Sequence, residues 1–166
     1  MDYSNSAAGL VGLLIGLILW LIFAAGFYVL SSIFLMRIFA KAGVQGGWRA
    51  WVPVYNFMVF SKLGDFSPWL ILIGMGGSIV LFWVPGLPWL LGVATFVLSM
   101  LAAWRVGLKL QKDVPWLILY FFLSIVWLGI NAFDKSRWNP AVPPAPWAGN
   151  GFLADRTTWQ GVPNQS

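Results

Sequence analysis

The chain has no cysteine, no histidine and no glutamate, and only 9% of its 166 residues are charged. Without Cys and His it can supply no disulfide, no thiolate nucleophile and no zinc or haem site of the usual ligand types. Soluble domains carry roughly 25% charged residues, so the 60% hydrophobic content and the mean hydropathy of +0.80 do not describe a water-soluble core. Acid–base pairs are equally scarce. The acids are five aspartates, of which Asp65, Asp113 and Asp134 border apolar runs rather than sitting inside them. That excludes paired intramembrane aspartates and the two-carboxylate arrangement of glycoside chemistry. Gly74, Gly76 and Gly77 lie inside an apolar run with no Lys-Ser/Thr after them, which is no phosphate loop. No catalytic, cofactor-binding or metal-ligating residues emerge, and a non-catalytic protein is expected.

What is present is apolar sequence in long runs. Residues 8–36 would form a helix of about 43 Å, more than the roughly 30 Å of a hydrocarbon core, so this first span must tilt or protrude. No positive n-region precedes it, and it exceeds a signal-peptide core, so it is expected to remain as an anchor. A second uncharged run is divided by Trp83-Val84-Pro85-Gly86-Leu87-Pro88-Trp89, whose prolines and glycine read as a tight turn. Spans are expected at 67–83, 88–108 and 115–133, the last opening on Pro115. The expected architecture is an all-α integral membrane protein with four transmembrane helices and an interfacial or re-entrant helical segment at 38–65. Residues 1–137 form the transmembrane domain.

The formal net charge of +5 could suggest nucleic acid, but the cations flank apolar runs, where topology accounts for them. Arg37, Lys41, Arg49 and Lys62 lie after the first span, and Arg105, Lys109 and Lys112 after the third. These seven are candidate contacts for lipid headgroups. The positive-inside rule then puts both basic loops in the cytoplasm and both termini outside a cell (plasma) membrane. Residues 138–166 contain Pro140, Pro143, Pro144 and Pro146 with Trp147, Phe152 and Trp159. They read as an extracytoplasmic, disordered tail, unless the aromatics touch the membrane interface or dock on a protein.

The 38–65 connector is the most informative stretch. Gly43, Gly46 and Gly47 permit a turn, and Pro53 interrupts any helix continuing from Trp48. Tyr55 and Asn56 are the polar residues of an otherwise apolar run too short to span. Gly43, Gly47, Trp48, Pro53, Tyr55 and Asn56 are candidate structural and contact residues, with Asn56 expected to satisfy backbone groups freed near Pro53. Small-residue rows at Ala8, Gly12 and Gly16 and at Ser99, Ala103 and Gly107 suit close helix packing. The simpler reading is packing inside the chain's own bundle; the other is presentation of the first row to another copy or protein.

Lys41-Ala42-Gly43, Gly47-Trp48, Ala50 and Pro53-x-Tyr55-Asn56, followed by Trp69 and by Asp134-Lys135-Ser136-Arg137-Trp138, resemble a domain-of-unknown-function family of small prokaryotic four-helix membrane proteins. The resemblance covers roughly residues 30–140, departing in an extra glycine before Trp48 and a longer tail. It implies the four-helix fold and no activity. Some members carry the name signal peptidase, but Ser61-Lys62 here has none of the extracytoplasmic domain such a dyad requires. The expected function is an accessory or assembly subunit whose partners are the bilayer and other membrane proteins or itself. A small oligomeric transporter or channel is the alternative.

Overall fold

A computed structural model describes residues 3–164. Residues 1, 2, 165 and 166, at the ends of the two expected segments, lie outside the described residues. The fold is all-helical, with α1 (Tyr3–Lys41), a 3₁₀ turn (Gly47–Ala50), α2 (Tyr55–Leu63), α3 (Trp69–Val80), α4 (Leu87–Lys109) and α5 (Trp116–Phe133). Three helices, α1, α4 and α5, are long and apolar enough to cross a membrane, whereas α3 is shorter.

The core lies at one end of these helices and not along them. Ile38, Phe39, Val59, Leu63, Phe66, Ala103, Val106, Leu110 and Trp127 are almost completely buried. They come from the C-terminal ends of α1 and α4, from α2 and the loop after it, and from the second half of α5, and together form a compact cap. Apolar legs project from it. One is the N-terminal part of α1; another is the α3–α4 hairpin, closed by Gly86 at φ +81°. Within the hairpin a Cβ on Gly74 would lie 2.0 Å from Thr95 Oγ1, so glycine is what lets the two helices approach there. Among the described residues the backbone of α1 does not come close to that of α3 or α4.

α5 is not straight. Leu123 has non-helical φ −140°, ψ 60°, and the helix bends there. An unbroken 18-residue helix would be about 27 Å long and would carry its end away from its start. Instead Trp127 packs on Gly107 beside Lys112, and Asp134 pairs with Lys112, which precedes the helix. Lys41 reaches the same corner from α1, donating to Asn131 O (2.7 Å), Asp134 O (2.9 Å) and Asp134 Oδ1 (2.8 Å), where a cation suits the exposed carbonyls of a helix C-terminus. The second half of α5 thus returns to the cap that its first half left.

The tail is also unlike its expectation. It is ordered against the cap, on the same end of the molecule as the connector. Trp147 stacks on Phe66 at 4.1 Å and donates from Nε1 to Asp65 O at 3.0 Å. Backbone bonds from Asn139 N to Lys109 O, from Ser67 N to Leu153 O and from Gln45 N to Gly161 O tie it down along its length. These contacts place the tail and the connector at the same end of the molecule. The reason is that the bend in α5 keeps residue 134 at the cap.

Candidate functional site

The connector folds back along α1. Gly43 at φ +81° makes the first reversal, Gly47 packs against Met36, and the Trp51 carbonyl accepts a 2.5 Å bond from the Tyr28 hydroxyl. The chain then turns through Val54 at φ 65°, ψ −49°, with Tyr55 N donating to Pro53 O at 2.7 Å. This tight γ-turn is strained for a β-branched residue. Asn56, 2% exposed, donates to Ala50 O at 3.3 Å and accepts from Phe57 N at 2.7 Å, tying the turn before Pro53 to the start of α2. Trp48, Tyr55 and the tail's Trp159 form a parallel stack at 5.7 and 5.4 Å. Arg49 lies over Trp48, donates to the Tyr55 hydroxyl, and binds Gln160 O at 2.7 Å. The candidate contact residues of the connector are therefore brought together, with the tail as their partner.

The seven cations are mostly engaged within the chain. Lys62, wholly buried, donates to Asp155 Oδ2 (2.5 Å) and to Thr157 O (2.5 Å). Arg105 and Lys109 share Asp65, each at 2.5 Å, and Lys109 also donates to Leu63 O at 2.8 Å. Lys41 and Lys112 share Asp134. Burial would raise the Asp134 carboxyl, but hydrogen bonds from Lys112, Lys41 and Ser136 outweigh it and hold the group below the usual carboxylate range. Lys62, Arg105 and Lys109 are thus removed from headgroup contact. Arg37, exposed and lying over the Phe133 ring at 4.6 Å, has no carboxylate partner among the described residues.

The two small-residue rows part company. Ala103 and Gly107 on α4 are buried, and Gly107 contacts Trp127; Ser99 donates to Phe96 O at 2.8 Å. On α1 a Cβ at Gly12 or Gly16 would meet nothing within 4 Å. The expected packing of the α1 row within its own bundle is absent, because the N-terminal part of α1 extends beyond the stretch that packs on α5.

Below α2, between α1 and the bent α5, opens a groove of about 520 Å³. Trp20, Ala24 and Phe27 form one wall, Asn56 and Phe60 the roof, and Ser124 with Leu128 the other wall. Sequence reasoning did not point to this groove, nor to Asp155. Asp155 had a readable signal, being the tail's one acid opposite a basic connector. The groove had none, since it exists only because α5 bends at Leu123.

Among the described residues no three His, Cys, Asp or Glu side chains cluster to hold a metal. Comparison of the chain with protein-family models, curated proteins and solved structures finds no match.

Proposed function

We propose that the chain is a non-catalytic integral membrane protein, an accessory or assembly subunit that holds another membrane protein against α1. The observation that carries this reading is the solitary leg. Leu10 through Phe23 are apolar or small and exposed all round, and the backbone of the α3–α4 hairpin does not approach α1. A helix that is hydrophobic on every side is normally covered. In lipid, a side with small residues is where a second helix can approach most closely.

The same reading fixes a topology. All ten Lys and Arg belong to segments that build or border the cap, so the cap is cytoplasmic by the positive-inside rule. α1 crosses with its N-terminus outside, α3 and α4 cross as a hairpin, and α5 enters and returns. The tail then lies inside, and three crossings replace four. Trp83 and Trp89, exposed at the hairpin tip, suit the far interface.

The test is a photo-crosslinking residue placed at Ile15 or Ile22 in native membranes, followed by mass spectrometry of the adducts. A discrete adduct with one membrane protein, or with a second copy, is expected. Adducts with lipid alone, together with a monomer in mild detergent, would sink the proposal.

A further inference from the structure

We infer that the groove between α1, α2 and α5 binds a neutral membrane lipid, a long apolar molecule ending in a hydroxyl or carbonyl group. This rests on the membrane placement proposed above but not on a partner for α1.

The volume of about 520 Å³ and the aromatic and aliphatic walls fall within the range of small-molecule sites, in which a few placed polar groups orient an apolar ligand. No acidic or basic side chain lines it; its polar groups are two tyrosines, two serines and an asparagine. Most of these are already engaged. Tyr28 donates to Trp51 O, Ser31 to Phe27 O at 2.7 Å, and Asn56 spans Ala50 and Phe57. Tyr120 is half-buried, with its ring against Trp127. Ser124 is different. Exposed in the groove, it follows directly on Leu123, where the helix is broken, and its hydroxyl is open to a ligand.

A break in a helix leaves backbone N–H and C=O groups without intrahelical partners, and in hydrocarbon such groups persist only beside protein or another source of hydrogen bonds. The groove therefore pairs a long apolar wall with one neutral hydroxyl that is open to a ligand. A ligand hydroxyl or carbonyl at Ser124 meets that group, while its hydrocarbon lies along Trp20, Ala24 and Leu128. An ionised headgroup has no counter-charge there and would be desolvated without compensation.

The probe is a brominated alcohol, 9,10-dibromostearyl alcohol, added to the full chain in mild detergent, with quenching of tryptophan fluorescence as readout. Saturable quenching is expected, most of it removed in Trp20→Phe. Ala24→Phe, which fills the groove wall, should weaken binding at least about tenfold. Ala25→Phe, on an exposed neighbouring position of the same leg, should leave binding unchanged and so controls for folding. The corresponding brominated fatty acid, ionised at pH 8, should bind at least about tenfold more weakly. Equal quenching by acid and alcohol would overturn the inference. So would quenching indifferent to both Trp20→Phe and Ala24→Phe, or equal, groove-dependent quenching by a phospholipid with brominated chains. Such a failure beside a positive crosslink at Ile15 would leave the assembly reading standing and remove only the lipid.

Discussion

Asp65 concentrates the residue-scale logic of the cap. It bridges Arg105 and Lys109, which are 4% and 1% exposed, and its own backbone sits at φ 66°. Asparagine tolerates that left-handed conformation as well as aspartate does, so Asp65→Asn removes the charge while sparing the backbone. Leaving two buried cations without their carboxylate is expected to cost about 3 kcal/mol, read as a fall in the unfolding midpoint in detergent. Asp134 gives a pH test. Its carboxyl is held low in the folded state, so its contribution is complete above the unfolded value near 4 and is lost as pH falls through the lower folded value. Asp134→Asn should therefore flatten the loss of stability below about pH 4 and leave the slope between about pH 5 and 8 unaltered. Glycines separate cap from leg in the same assay. A Cβ on Gly64 would come 2.5 Å from the Ala102 Cα, and Gly64→Ala is expected to cost about 1–3 kcal/mol. Gly12→Ala meets nothing and should leave the isolated protein as stable as before.

At the scale of elements, α5 and the tail are coupled. Because α5 bends at Leu123 and ends beside Lys112, residues 138–164 start at the cap and can cover it. Trp147 then stacks on Phe66, Asp155 neutralises buried Lys62, and Val162 enters the core at 4% exposure. The tail is a structural part of the cap and not an appendage. Trp147→Ala removes the stack and the bond to Asp65 O, and should cost about 3 kcal/mol, with protease cleavage of the tail becoming faster. A disordered tail would show neither effect.

For the molecule as a whole the decisive quantity is sidedness. The chain has no cysteine, so single cysteines report position cleanly. Asp113→Cys in the α4–α5 loop and Asn150→Cys in the tail are expected to react with a membrane-impermeant maleimide from the same face of sealed vesicles. Pro85→Cys, at the hairpin tip, should react from the opposite face. Reaction of Asn150→Cys and Pro85→Cys from one face would restore four crossings and refute the bent reading of α5.

The sequence by itself determined the apolar character of the long helices and which side-chain types are missing. Runs of apolar residues, the scarcity of charge and the missing Cys, His and Glu act additively and locally, so they can be read without knowing any contact. The same holds for the turn at Gly86 and the reversal at Gly43, where single residues set the backbone. Only the tertiary structure decided what the last apolar segment does and where the tail lies. Hydropathy scores residues 115–133 alike whether the helix runs straight or doubles back. The choice belongs to contacts between residues far apart in the chain, Lys41 and Lys112 with Asp134 and Trp127 with Gly107. From that bend follow the ion pairs of Asp134 and Asp155, the ordered tail and the groove beneath α2. Five of the seven cations expected at lipid, Lys41, Lys62, Arg105, Lys109 and Lys112, instead have carboxylate partners, because Asp65, Asp134 and Asp155 reach them only once the chain is folded.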